Sequence, residues 1–121
     1  HIILRGGKIP NYDEESIEST LTALKEAEVN ESIMIDASHG NSQKKFKEQI
    51  PVIESIAKQV RSGNTNIKGV MIESHLNEGN QKISDNLKYG QSITDACMGW
   101  DDTLHCLDEL NIAVEKRRGK K

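Results

Sequence analysis

Side chains able to hold ions fall wherever an apolar run of this chain ends. Arg5 closes His1–Leu4, Asp36 and His39 follow Ser32–Ile35, and Glu73 and His75 follow Ile67–Ile72. A polar stretch from Asn77 to Gly99 adds Glu78, Asp85 and Asp95. An imidazole with carboxylates is a donor set for a divalent first-row metal, and a guanidinium is a bidentate partner for phosphate. Taken singly, each residue suits a helix cap or a surface ion pair equally well. Their recurrence at three equivalent positions is what points to one shared site.

The elements that must position them follow from periodicity. The three β-branched runs recur at intervals of about thirty residues, the length of a βα unit in a parallel sheet. The first helix is expected after Pro10-Asn11-Tyr12-Asp13, with Asn11 or Asp13 as its cap and a stripe of Ile17, Leu21, Leu24 and Ala27. Phe46, Ile50, Ile53, Ala57 and Val60 mark a second helix, which Pro51 is expected to kink or split. A third starts near Asp101 or Asp102, with Leu104, Leu107, Leu110 and Val114 facing inward. Asn77 to Gly99 is too long for a plain connection and reads as functional or mobile. The fold class is therefore α/β, a parallel (βα)₃ segment over residues 1–121 with two open sheet edges, and ligands of such folds gather at the carboxyl ends of the strands.

Composition narrows the function. The chain has 121 residues, a formal charge of −3, 35% hydrophobic and 3% aromatic residues. Its core must rest on Ile, Val, Leu, Met and Ala. An acidic body with so few aromatics has no stacking platform for nucleic acid, and no run reaches membrane-spanning length, so neither is expected as a partner. The basic tail 116–121 holds five of the sixteen Lys and Arg and reads as a solvated end that favours the helix dipole. Cys97 and Cys106 form no CxxC pair, which predicts a reducing, cytoplasmic setting, with Cys106 a small buried hydrophobe.

Competing motifs fail on geometry. Gly6-Gly7-Lys8 lacks the GxxxxGK[ST] of a phosphate loop. Ser38-His39 and Ser74-His75 are poor nucleophile and base pairs, because neighbours in an extended segment point apart.

Four long strings are more specific than any spacing: His-Ile-Ile-Leu-Arg-Gly-Gly-Lys at 1–8, Met-Ile-Asp-Ala-Ser-His-Gly-Asn-Ser at 34–42, Gly-Val-Met-Ile-Glu-Ser-His-Leu-Asn-Glu-Gly-Asn-Gln at 69–81, and Tyr-Gly-Gln-Ser-Ile-Thr-Asp-Ala-Cys-Met-Gly-Trp at 89–100. In this order they resemble type I 3-deoxy-D-arabino-heptulosonate 7-phosphate (DAHP) synthases across essentially the whole chain. The resemblance implies the C-terminal (βα)₃ portion of a TIM (β/α)₈ barrel, strands six to eight with their helices. It implies a transferase that joins phosphoenolpyruvate to erythrose 4-phosphate and releases phosphate, the first step of the shikimate pathway, in a cytoplasmic homo-oligomer. Arg5 resembles the arginine that binds the phosphoenolpyruvate phosphate. His39, Glu73 and Asp95 resemble three of the four ligands of one divalent metal ion, Mn²⁺, Fe²⁺, Co²⁺ or Zn²⁺. The fourth is a cysteine from an early strand, outside these residues, and Cys97 matches a different cysteine. Asp36 is open between tuning His39 and capping its turn. Gly40, where many relatives carry Ala, and Pro51 depart from the family pattern. The 121-residue chain alone is expected to be inactive. The alternative is a non-catalytic fragment that self-associates through its open edges.

Overall fold

The computed structural model describes residues 1–119. The β-branched runs form a three-stranded parallel sheet in chain order: β1 (Ile2–Leu4), β2 (Ile33–Asp36) and β3 (Ile67–Met71). Parallel neighbours require a crossover, and the crossovers are α1 (Glu14–Glu26) and α2 (Gln49–Arg61), with α3 (Trp100–Gly119) following β3. Leu4 pairs with Ile35, and Ile33 with Ile67, so these residues share one face and pack with all three helices. A bulge at Lys68 restores the alternation, so that Val70 and Ile72 also turn to the core. The opposite face carries Ile3, Met34, Gly69 and Met71, and Ile3 and Met71 are exposed.

Local chemistry sets the helix bounds. Asp13 caps α1 by accepting from the Ser16 N–H at 3.0 Å, while Asn11 accepts from the Gly6 N–H at 2.9 Å. Ile17, Leu21 and Leu24 are buried, but the expected fourth stripe residue, Ala27, is exposed because it is the C-cap. Pro51 does not kink α2. It sits in the first turn, where an amide hydrogen would have no partner within the helix, and the pattern divides earlier, leaving Phe46 in a separate 3₁₀ turn, Phe46–Glu48.

The expected face of α3 needs correction. Leu104 and Leu107 are 47% and 49% exposed, whereas Thr103, Cys106 and Ala113 are buried. Leu110 and Val114, the second half of the expected stripe, do pack against the core, so only Leu104 and Leu107 depart from it. α2 presents Val52, Ile56 and Val60, and small side chains on α3 let the two helices approach. The basic run continues α3 through Gly119; Lys120 and Lys121 lie outside the described residues. Arg117 does more than meet the helix dipole, since its guanidinium donates to the Asn64 carbonyl at 2.9 Å and the Ile67 carbonyl at 3.3 Å. Among the described residues no helix is long and apolar enough to cross a membrane.

Candidate metal centre

β2 ends on Asp36, which is 3% exposed, and its two oxygens divide two tasks. Oδ1 accepts from the Ser38 N–H at 2.8 Å and caps the turn, while Oδ2 meets His39 Nδ1 at 2.7 Å. Both roles open to Asp36 from the sequence are thus filled. With Nδ1 engaged, Nε2 is the free donor of His39. The Asp36 contact raises the His39 pKa above its usual value, against desolvation, and the more distant Arg5 charge also lowers it. His39 has φ +47°, and Gln43 and Lys44 of the same turn have +54° and +62°. Left-handed backbone at non-glycine residues costs about 1–3 kcal/mol each and survives only where the surroundings enforce it.

The enforcing group is Asn41, 3% exposed. Its Nδ2 donates to the Leu4 carbonyl at 3.1 Å and the Asp36 carbonyl at 2.9 Å, and its Oδ1 accepts from the Asn11 N–H at 2.7 Å. Its own N–H reaches the Arg5 carbonyl at 2.9 Å. One side chain therefore ties the ends of β1 and β2 and sets where Arg5 leaves the sheet. Gly6 makes this possible: at φ +77° a Cβ there would lie 2.5 Å from the Asn41 nitrogen.

Glu73 follows β3. Ser38 donates from Oγ to Glu73 Oε1, and the same oxygen lies 3.4 Å from His39 Nε2. The β3–α3 connection then closes on itself through amide side chains. Gln81 Nε2 donates to the Lys88 and Gln91 carbonyls at 2.8 and 3.1 Å, Asn77 Nδ2 to Tyr89 and Asn80 Nδ2 to Thr94, each at 2.9 Å. Met98, fully buried, anchors the far end. This folded loop brings Asp95 Oδ2 to 3.6 Å from His39 Nε2.

His39, Glu73 and Asp95 thus offer donor atoms all within 4.8 Å of one another. Two donors each about 2.1 Å from one ion stand about 3.4 Å apart at the tetrahedral angle, so the observed spacings fit a shared cation. The hollow they line, with Ser38, Lys44, Phe46 and Ala96, measures about 90 Å³. A larger hollow of about 420 Å³ between α1 and α2 holds none of the three. Donor chemistry, not size, marks the site.

Other candidates stay outside the cluster. His75 is exposed and accepts from the Leu76 N–H at 2.8 Å; Glu78 pairs with Lys47 at 3.9 Å; Asp85 is an exposed loop residue. Cys97 is buried beside Asp95 but its thiol points to the Asp95 carbonyl at 3.5 Å, and burial pushes its pKa up. Burial also raises Cys106, to about 11. Ser38 and Asn41 act as braces that no motif in the sequence marks. The signal for Ser38 is its place beside His39, which the sequence sets aside as a poor nucleophile and base pair.

The family model for the DAHP synthetase I family matches residues 1–108. A Trp-sensitive phospho-2-dehydro-3-deoxyheptonate aldolase of Buchnera aphidicola is 52% identical over 119 residues, 97% of this chain and 34% of its own length. A tyrosine-inhibited phospho-2-dehydro-3-deoxyheptonate aldolase of Schizosaccharomyces pombe is 52% identical over 124 residues, 97% of this chain and 33% of its own. The solved phospho-2-dehydro-3-deoxyheptonate aldolase of Francisella tularensis superposes with a TM-score of 0.93 at 45% identity, covering 98% of this chain and 35% of that one. The chain spans about a third of the length of the curated relatives it matches.

Proposed function

The chain belongs to the DAHP synthetase I family, and from that premise we propose that it is the metal-holding wall of a DAHP synthase, the last three βα units of its (β/α)₈ barrel. The observation that carries this reading is the convergence of His39 Nε2, Glu73 Oε1 and Asp95 Oδ2 at the spacing of one ion. The open face with Ile3 and Met71, and the exposed Leu104 and Leu107 of α3, are the surfaces that the rest of such a barrel would cover. The protein would work in the cytoplasm as a homo-oligomer.

The reaction joins C3 of phosphoenolpyruvate to the aldehyde carbon of erythrose 4-phosphate; water adds at C2 and phosphate leaves. A divalent ion held there, Mn²⁺, Fe²⁺, Co²⁺ or Zn²⁺, would supply Lewis-acid polarisation of the aldehyde oxygen or activation of the water. His39, Glu73 and Asp95 would hold it. Asp36 keeps the imidazole turned so that Nε2 faces the hollow, and Ser38 steadies Glu73. Arg5 would grip the phosphoenolpyruvate phosphate through its guanidinium, bringing the reacting carbons together. Most of the substrate-binding groups that such an enzyme needs have no counterpart among these residues. The remaining walls would come from outside these 121 residues, and this segment alone would not turn over.

In the full-length protein carrying this sequence, His39→Ala should abolish phosphate release and leave the purified protein without stoichiometric metal. Turnover retained in that variant would sink the assignment. The exposed Ile2 and Ile3 of β1 favour a second reading, self-association of the isolated segment by edge pairing. Light scattering decides it: a folded monomer rules it out.

A further inference from the structure

Glu73 lies two residues past the end of β3, where the ladder to β2 has stopped. Its main chain must find partners elsewhere. The Met98 N–H serves its carbonyl at 3.0 Å. Its N–H bonds, among the described residues, to the side chain of Gln49 alone, with 2.9 Å to Oε1. Gln49 Nε2 returns a bond to the Glu73 carbonyl at 3.0 Å and gives a second to the Phe46 carbonyl at 3.3 Å.

Gln49 opens α2, a position at which glutamine normally meets solvent, yet it is 0% exposed. Its amide oxygen and both amide hydrogens are used. One primary amide thus exchanges both bonds with the Glu73 main chain, as a directly opposed antiparallel residue would. Ser38 holds the carboxylate of the same residue. We propose that Gln49 is a positioning residue of the metal centre, fixing the Glu73 backbone so that Oε1 faces His39 Nε2, and that it thereby couples the docking of α2 to metal affinity.

This inference rests on the metal reading above. Glutamine is suited to the task because only a side-chain amide both donates and accepts in one plane at this reach. Leucine would fill the volume and leave the Glu73 N–H unpaired. Asparagine, one methylene shorter, would keep polarity and miss the span.

The test is Mn²⁺ titration of the metal-free, full-length protein, followed by electron paramagnetic resonance of the free ion, with melting temperature recorded in parallel. Gln49→Leu and Gln49→Asn should each weaken Mn²⁺ binding by about 10–100-fold, the range for partners that orient a metal ligand. Val52→Ala, in the same helix and buried but with a side chain that can give no hydrogen bond to Glu73, should lower the melting temperature while leaving affinity within about twofold of the parent. Either Gln49 variant, if it folds and binds Mn²⁺ as the parent does, overturns the proposal. So does a loss in Val52→Ala equal to that in Gln49→Asn, since affinity would then merely follow stability. Glu73→Gln separates the two levels: if it loses Mn²⁺ while the Gln49 variants keep it, the metal reading stands and the clamp falls. If the parent itself binds no Mn²⁺, both fall.

Discussion

The connection from β2 to α2 and the connection from β3 to α3 deliver donors to the same point by opposite means. The first is the shorter and is buried in its first half, where Ser38, Asn41 and Ser42 are each under 5% exposed, and three of its residues hold left-handed backbone. The second is long and exposed, held by amide side chains on its own carbonyls. Their donors differ accordingly. The His39 side chain is 29% exposed and fixed by Asp36, whereas that of Asp95 is 64% exposed and, among the described residues, accepts no hydrogen bond. Glu73, at the start of the second connection, is tied to the first by Ser38 and Gln49, so the centre has a braced half, His39 with Glu73, and a free half, the loop that carries Asp95. Strain held by the scaffold pre-orients one ligand, while the other can adjust to the ion that arrives.

Metal affinity is where that difference should be largest. His39→Ala should cost more than the 10–100-fold typical of outer partners, about 1,000-fold, and Asp95→Asn about tenfold, measured by Mn²⁺ titration of the metal-free protein. Equal losses would break the distinction between the halves. Asp36→Asn keeps the shape but removes the charge that orients the imidazole, and should weaken binding by about 10–100-fold. Affinity unchanged in that variant would mean the turn alone places His39.

The braced half is also where the sequence was least legible. The strands could be read because β-branched runs at βα intervals have few other uses, and His39, Glu73 and Asp95 stood out through strings that resemble a known family. Gln49 and Glu73 are 24 positions apart, and Ser38 and Glu73 are 35 apart. No periodicity links such pairs; only the folded sheet brings them together. The α3 stripe faces the core at Leu110 and Val114 but not at Leu104 and Leu107, for a different reason. Size favours leucine on the inward face, yet where α3 lies against α2 the small Cys106 and Ala113 are the buried residues. Asp36 was legible in both of its roles, because strand end and turn start coincide there.

Stability gives a smaller but independent contrast. Asn41→Ala would strip partners from the buried Leu4 and Asp36 carbonyls and should cost about 1–3 kcal/mol in urea unfolding. Gln81→Ala, in the free half, removes bonds that water can replace and should cost about 0.5–1.5 kcal/mol. The larger loss falling on Gln81 would reverse the assignment of which connection is braced.

The smallest effect belongs to a group in neither connection, which makes it the control for pH. The Ser16 hydroxyl and N–H hold the Asp13 carboxyl below its ordinary value of 3.8. A depressed folded pKa means that the cap stabilises fully above the unfolded value and that this contribution is lost as pH falls through the lowered one. Asp13→Ala should therefore cost about 1 kcal/mol at neutral pH, the usual worth of an N-cap, and progressively less as the solution is acidified below pH 4. Unfolding curves of parent and variant should converge at the acid end, while Mn²⁺ affinity at neutral pH stays that of the parent, because the bond from this segment to Asn41 comes from the Asn11 N–H, ahead of the cap. If affinity fell with the cap, the braced half would extend into α1, and the boundary between the halves would lie before Asp13 and not at the end of β2.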